Sequence, residues 1–316
     1  MFSGDFLPLM NFIDPLRLAV SGSCFLNAMQ PELLKSCYKN MIDGRLSPLT
    51  PRQNLQMSGF LREIVDVCNR LRIPAFECYH SPAYDLDMMA DTLLEARQTE
   101  FWSVHGPFGA QFDASSPDES IIENTITGYA GAITLAVKLG AKIVVTHPGA
   151  NVQYDVTKQT RLARAAETIA RLAPIAAEYG VKLAVEPLPK HEAGNSLEEV
   201  LWIVEQVNQP NVGINFDVNH LYPAEIVPGK IREAGGKILS VHISDQDGQE
   251  RHWLPFEGIL DWQAVLAALQ DAGYRGPLVY ETHIRDIQTC DEVGRIIVEN
   301  YKKLIKLAPS AIIQSV

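Results

Sequence analysis

Residues 212–220, VGINFDVNH, form a short, largely apolar run with an acid, Asp217, and an imidazole, His220, near its end. A run of this length without strict alternation is typical of a strand in a parallel sheet, where both faces are buried. A buried strand has no structural need for an acid and an imidazole where it ends. The stretch therefore predicts a parallel sheet with functional polar residues along its carboxyl edge.

The same pattern occurs eight times along the chain, and a longer amphipathic segment follows each run. The predicted strands are Leu16–Gly22, Ala75–Tyr79, Phe101–His105, Lys142–His147, Lys182–Pro187, Val212–Asp217, Ile238–Ser244 and Leu278–Thr282. Helix signals lie between them, such as the capping box Ser196–Glu199 and the capping residue Asp261. Eight such units without a break in composition predict an α/β fold, a single (β/α)8 TIM barrel in one domain over residues 1–316.

An open, doubly wound sheet uses the same alternation and is the alternative fold. Such a sheet normally carries a glycine-rich nucleotide turn after its first strand, whereas residues 21–24 here read SGSC. The loop at about 23–54 is long for a strand–helix connection, and we expect a short helix near Glu32–Lys39 that covers part of the barrel mouth. Pro174, inside the predicted helix Thr157–Tyr179, predicts a kink or a break.

The composition disfavours several classes of partner. The chain has 316 residues and a formal net charge of −11. A negative surface repels phosphate backbones, so nucleic acid is not an expected partner. Five cysteines without a CxxC pair favour a reducing cytoplasm over a disulfide framework. The N-terminus lacks a signal-peptide pattern and no apolar stretch is long enough to cross a bilayer, so no membrane association is expected.

Polar residues end six consecutive predicted strands, from the third to the eighth. They are His105, His147, Glu186, Asp217, His242 and Glu281. All the strand ends of a barrel meet at one mouth, where barrel active sites lie. Each residue by itself is better explained as an ordinary loop residue. Carboxylates and imidazoles packed together are unfavourable unless a cation compensates them, so the set as a whole predicts a bound metal.

The last four of these strand ends supply three carboxylates and one imidazole. This is a hard, oxygen-rich set of ligands, which favours Mn²⁺, Mg²⁺ or Co²⁺ over a thiolate-type zinc site. One divalent metal ion is expected, with Mn²⁺ as the first choice and Mg²⁺, Co²⁺ or Zn²⁺ as alternatives.

Several motifs around these residues resemble those of the xylose isomerase-like TIM barrel superfamily. They are VEP at Glu186, FDVNH at Asp217, VHISD at His242, HWLPFEGILDW from His252, and YET at Glu281. The resemblance extends from about Leu16 to Leu307, and the sequence departs from the pattern of the sugar branch at Phe256–Glu257. This superfamily includes sugar isomerases, ketose 3-epimerases, inosose dehydratases and the endonuclease IV repair enzymes.

The resemblance implies roles for individual residues. Glu186, Asp217, His242 and Glu281 would bind the metal, and the two glutamates would also act as the acid/base pair. The substrate would be a sugar or a sugar-like polyol or keto compound. One glutamate would remove a proton beside a carbonyl, and the other would return it after a metal-bound enediolate has formed. Epimerisation, isomerisation and dehydration all remain open. The expected substrate-binding residues are His105, His147, His220, Arg251 and His252.

The strongest alternative is a trinuclear zinc nuclease of the endonuclease IV type, because the chain nearly supplies its nine ligands. The three sets would be His105, His147 and Glu186; Glu186, Asp217, His242 and Glu281; and His220, Glu250 and His252, with Glu250 in place of the usual aspartate. The acidic charge, the lack of a basic run and the sugar-type GILDW ending argue against it. A barrel subunit without catalysis is a further alternative, which the retention of all four metal ligands disfavours.

Three other residues have open interpretations. Glu77 lies inside the second strand, so it either faces the lumen and pairs with a basic residue or reaches the substrate. Trp253 and Phe256 either pack over a sugar or form a subunit contact. A homo-oligomer is expected.

Overall fold

A closed barrel of parallel strands forms the centre of the computed structural model, which describes residues 15–96, 98–190, 193–285, 287 and 289–309. Each strand pairs with the next, and the eighth pairs with the first. The strands are β1 Leu18–Ser21, β2 Ala75–Tyr79, β3 Glu100–His105, β4 Ile143–Thr146, β5 Lys182–Val185, β6 Val212–Asp217, β7 Ile238–Ile243 and β8 Leu278–Tyr280. The predicted (β/α)8 barrel is therefore confirmed. Both termini of the predicted 1–316 domain lie outside the described residues.

Helices surround the barrel and connect its strands. They are α1 Pro31–Leu34, α2 Asn40–Ile42, α3 Pro51–Leu71, α4 Leu86–Leu93, α5 Glu119–Leu139, α6 Lys158–Glu178, α7 Leu197–Val207, α8 Val227–Ala234, α9 Trp262–Asp271 and α10 Cys290–Leu304. Two predicted caps are present, since Ser196 accepts from the backbone N–H of Glu199 and Asp261 from that of Ala264. No described helix combines the length and the apolar character needed to cross a membrane.

Pro174 does not break α6, so that part of the prediction is wrong. The helix continues from Lys158 to Glu178 with the proline inside it. An interior proline costs about 3 kcal/mol because it removes a backbone hydrogen bond and crowds the preceding turn. Ile169, Leu172 and Ala173 of this helix are fully buried in the main core, and the burial of this apolar face offsets the cost.

The long first loop covers part of the barrel mouth, as the sequence predicts. After β1 it contains α1, a π-helical turn at Lys35–Lys39, and α2. Tyr38 packs edge-on against the rings of Tyr79 and Phe108, which lie beside the ends of β2 and β3. Gly109 permits the close approach of α2, since a Cβ there would lie 2.3 Å from the carbonyl oxygen of Met41.

The barrel interior is apolar at one level and polar above it. Ala19, Ala75 and Val279 form a small cluster against Trp102, separate from the main core between strands and helices. Two register shifts change which residues lie opposite one another above this level. The shift between β2 and β3 brings Glu77 opposite Ser103. The shift between β6 and β7 comes before the pair Asp217 and His242. Such bulges are frequent beside active sites, where they redirect side chains.

Arg161 on α6 ties two mouth loops together. Its guanidinium donates to the Asp113 carboxylate at 2.9 Å and to the hydroxyl of Ser115 at 2.7 Å, both in the loop after β3. It also donates to the carbonyl of Val152 at 2.6 Å, in the loop after β4. Arg161 is 2% exposed, so these bonds form away from water.

Replacing Arg161 by alanine is expected to lower the free energy of unfolding by about 3–5 kcal/mol, because it leaves the buried Asp113 carboxylate without its cationic partner. Urea denaturation measures the loss. Arg164→Ala is the matched control on the same helix. Its exposed ion pairs should contribute only about 0–1 kcal/mol. Equal effects of the two substitutions would contradict a structural role for the buried pair.

Candidate metal centre and active site

Four side chains converge at the carboxyl ends of β5 to β8. Glu186 follows β5, Asp217 ends β6, His242 lies in β7 and Glu281 follows β8. The imidazole Nδ1 of His242 lies 3.0 Å from Glu186 Oε1, 3.0 Å from Glu281 Oε2 and 3.9 Å from Asp217 Oδ2. One ligand atom from each of the four residues lies within 4.8 Å of the others. The structure therefore brings together the four residues that the sequence singles out as metal ligands.

These four residues are almost inaccessible to solvent, and their charges are strongly coupled. Burial opposes ionisation of Glu186, yet the surrounding imidazoles hold its pKa well below the usual range. Burial raises the pKa of Asp217 to about 6. Burial alone would lower the pKa of His242, but the nearby carboxylates raise it well above its usual value. The cluster thus needs more positive charge than one imidazolium supplies if all three carboxylates are to ionise.

A divalent cation fits this need. Asp217 Oδ2 is buried without a hydrogen-bond partner. Both ring nitrogens of His242 face carboxylates, an arrangement that a cationic imidazolium satisfies without a metal, and a bound ion would take the place of the proton on one of them. An ion beside His242 Nδ1 would accept the lone pairs of this nitrogen and of the nearby Glu186 and Glu281 oxygens. Three carboxylate ligands and one imidazole suit Mn²⁺, Co²⁺ or Mg²⁺, and Zn²⁺ also accepts such ligands.

Two further groups of potential ligands flank this centre. His105, His147 and Glu186 form one, with both imidazole Nε2 atoms within 3.6 Å of Glu186 Oε2. The His105 Nδ1 atom donates to the Gly106 carbonyl at 2.8 Å, so a neutral His105 ring presents the lone pair of Nε2 to the site. The ring of Tyr79 stacks on His105 at 4.3 Å and fixes its plane.

The second flanking group consists of His220, Glu250 and His252. Here His252 Nε2 lies 3.6 Å from Glu250 Oε1, while Lys190 pairs with the other oxygen of Glu250 at 2.8 Å. Burial alone would lower the pKa of His252, but Glu250 and other nearby carboxylates raise it to about 9. His252 adopts a φ of +53°, a left-handed conformation that non-glycine residues rarely occupy.

Residues 65–307 match the family model described as xylose isomerase-like TIM barrel. The chain belongs to this family. Inosose isomerase from Bacillus licheniformis is 30% identical over 206 residues, which cover 59% of this chain and 73% of that protein. D-psicose 3-epimerase from Ruminiclostridium cellulolyticum is 29% identical over 191 residues, 57% of this chain and 62% of the epimerase. The chain is thus similar to enzymes that are named for isomerisation or epimerisation of carbohydrates.

Solved structures agree with the family assignment. A D-tagatose 3-epimerase-like protein aligns with a TM-score of 0.62 at 26% identity, over 77% of this chain and 96% of that one. IOLI protein, solved with a bound zinc atom, aligns with a TM-score of 0.72 over 93% of this chain and 100% of that one. At 19% identity, the second likeness establishes a shared fold alone.

Arg251 is the one predicted substrate-binding residue that does not belong to the groups of potential metal ligands. Its guanidinium pairs with Asp247 at 2.9 Å and lies over the ring of Trp253, 5.5 Å from the centroid. The four predicted histidines instead lie around the cluster of metal-binding candidates. The role predicted for Arg251 is therefore less directly supported by geometry than the roles of the histidines.

The loop after β7 is built around a buried carboxylate. Asp245 accepts hydrogen bonds from the backbone N–H groups of Phe256 and Leu260 and from the indole of Trp262. Phe256 has a φ of +79° and is 46% exposed, at the point where the sequence departs from the sugar-branch pattern. A Cβ at Gly258 would lie 2.2 Å from the carbonyl oxygen of Gln246, so glycine is required in this turn.

The sequence leaves two roles open for Glu77, and the structure gives it a specific partner. Its carboxylate lies 3.1 Å from His242 Nε2 and accepts a hydrogen bond from Ser103 Oγ at 2.7 Å. Glu77 therefore faces the lumen and pairs with a basic residue, as the first of the two interpretations predicts. That basic residue is His242. An acid inside a buried strand was the only available sequence signal.

Proposed function

We propose that this protein is a divalent-metal-dependent isomerase or epimerase of a sugar or sugar-like polyol or keto compound. The observation that carries the proposal is the convergence of Glu186, Asp217, His242 and Glu281 in one buried cluster. These residues would hold one ion, Mn²⁺ by preference. The similarity to inosose isomerase and to D-psicose 3-epimerase supports a substrate of this class.

In this proposal, Glu186 and Glu281 move the proton. A bound divalent ion would polarise a substrate carbonyl and so acidify the neighbouring carbon. One glutamate removes the proton from that carbon, which leaves an enediolate, and the other returns a proton. The two carboxylates reach the same site from β5 and from β8, so they can address different faces of the substrate. Both glutamates are buried, Glu281 with 6% and Glu186 with 1% of its surface exposed.

The surrounding histidines would bind the substrate hydroxyl groups. His105, His147, His220 and His252 offer ring nitrogens beside the cluster, and their rings are almost fully buried. Tyr79 and Phe108 pack against His105 and limit its movement. Ordered donors of this kind fix the orientation of a polyhydroxy substrate and exclude water from its reactive carbon.

A trinuclear zinc nuclease is the second candidate, because the two flanking groups could each hold a further ion. Two observations make it the weaker one. The chain carries a net charge of −11. In addition, Lys190 and Arg251 lie beside Glu250 and Asp247, and these acids offset the positive charge that the two side chains would offer to a phosphate backbone.

Elemental analysis of the purified protein is expected to give about one divalent ion per chain, most readily Mn²⁺, Co²⁺ or Mg²⁺, because a hard site of three carboxylates and one imidazole favours these ions. Incubation with candidate inososes and ketoses, followed by NMR of the products, then tests for an isomer or an epimer. Three zinc ions per chain, together with incision of DNA at an abasic site, would support the nuclease instead.

Location and assembly are further parts of the proposal. All five cysteines are free and buried, which supports a reducing environment such as the cytoplasm.

Phe256 and Ile259 expose 46% and 58% of their surface on the loop after β7. These apolar side chains support the expectation of a homo-oligomer.

A further inference from the structure

Glu77 is a buried acid beside the proposed metal centre that is not one of its ligands. It lies in β2 with no exposed surface. Its Oε2 atom accepts a hydrogen bond from the Ser103 hydroxyl at 2.7 Å, and its two oxygens lie 3.1 and 3.2 Å from His242 Nε2. Burying a carboxylate in a barrel lumen is costly, so this placement needs an explanation.

The other ring nitrogen of the same histidine points to the proposed metal. His242 Nδ1 lies 3.0 Å from oxygens of both Glu186 and Glu281. A neutral imidazole carries one proton. If Nε2–H donates to Glu77, Nδ1 must present its lone pair to the centre of the cluster. Without an acceptor at Nε2, neither the tautomer nor the plane of the ring is fixed.

The backbone is arranged to bring Glu77 to this position. In the pairing of β2 with β3, Phe76 lies opposite Phe101, but the next residue, Glu77, lies opposite Ser103. Trp102 is therefore skipped and has no partner on β2. Ser103 thereby comes to lie beside Glu77, and the indole of Trp102 donates to Ser240 Oγ instead. The level formed by Ala19, Ala75 and Val279 shows that this lumen is filled elsewhere with apolar side chains.

We propose that Glu77 is a positioning residue for the metal centre. It accepts the proton of His242 Nε2 and so holds Nδ1 as the metal-binding atom. The inference rests on the proposed metal site, and it assigns Glu77 no direct contact with metal or substrate. Carboxylates that orient a ligating histidine in this way typically change metal affinity or activity about 10- to 100-fold when they are replaced.

The test compares three full-length variants in the metal-free state by calorimetric titration with Co²⁺. Glu77→Met keeps an unbranched side chain but removes the acceptor, so affinity should fall about 10- to 100-fold. Glu77→Gln retains an acceptor oxygen for Nε2–H and should recover most of the affinity. Ser103→Ala is the control: it removes the other hydrogen bond of Glu77, leaves the contact with His242, and should change affinity by less than about threefold.

A second measurement does not depend on any variant. In the parent protein loaded with Zn²⁺, ¹⁵N NMR of the histidine rings should show His242 protonated at Nε2, with that proton in a hydrogen bond. Protonation at Nδ1 would overturn the inference, and so would equal losses of Co²⁺ affinity in Glu77→Met and Ser103→Ala. Failure of the parent to bind Co²⁺ or Zn²⁺ would instead remove the proposed function on which the inference rests.

Discussion

Asp217→Asn is expected to lose most of its activity at limiting metal and to regain part of it when Mn²⁺ or Co²⁺ is in excess. Asp217 Oδ1 accepts a hydrogen bond from the Asn219 backbone N–H at 2.7 Å, and an asparagine oxygen can keep that bond. The Oδ2 atom has no hydrogen-bond partner and faces the cluster, so the substitution removes mainly an anionic ligand. A catalytic ion contributes several kcal/mol to transition-state stability, so its loss should slow turnover on the order of 10³-fold.

The measurement is turnover against metal concentration for the parent and the variant, with a chelator to set the low end. Asp261→Asn is the matched control, because Asp261 caps α9 at an exposed position and asparagine caps equally well. Its dependence on metal should equal that of the parent. If Asp217→Asn binds the ion but stays inactive at every metal concentration, Asp217 acts on the substrate rather than as a metal ligand.

The barrel and its main cluster could be predicted because both depend on local sequence signals. Buried parallel strands have a recognisable apolar pattern, and a polar residue that interrupts it where the strand ends is conspicuous. The predicted bounds of β2 and β6 agree with the structure, and Glu186 and Glu281 lie within one residue of the ends of β5 and β8. Closure of the barrel then brings these strand ends to one mouth.

Glu77 could not be assigned in the same way, because its partner depends on register. The shift between β2 and β3 decides that Glu77 lies opposite Ser103 and within reach of His242. No composition or spacing in either strand encodes that shift. A one-residue change of register would turn the side chain to the other face of the sheet.

Loop residues were the least predictable part of the site. The role of Arg251 in binding substrate stays a prediction, and its guanidinium pairs with Asp247 and lies over the ring of Trp253. The fold of its loop depends on Asp245, which collects hydrogen bonds from residues as distant in sequence as Trp262. Because such bonds join residues far apart in the chain, a local pattern does not reveal where a loop side chain points.

Replacing either Glu186 or Glu281 by glutamine is expected to nearly abolish proton exchange at the substrate carbon. Glutamine keeps the size and one oxygen ligand but removes the basic carboxylate, so metal affinity should fall only partly. Loss of a general base typically slows a reaction on the order of 10²–10⁴-fold. The experiment incubates candidate ketoses with each variant in D₂O at saturating metal, and NMR follows deuterium at the carbon next to the carbonyl.

Glu257→Gln provides the control, since Glu257 is an exposed acid of the loop after β7 whose side chain accepts from the backbone N–H of Leu254. It should exchange protons at the parental rate. Exchange at that rate by both Glu186→Gln and Glu281→Gln would refute the enediolate route. A direct hydride shift between neighbouring substrate carbons would then explain isomerisation, and the glutamates would serve only as ligands. The same conclusion would follow from the parent alone if it converted a sugar without incorporating solvent deuterium, because a proton held by a carboxylate in D₂O exchanges with solvent whereas a migrating hydride does not.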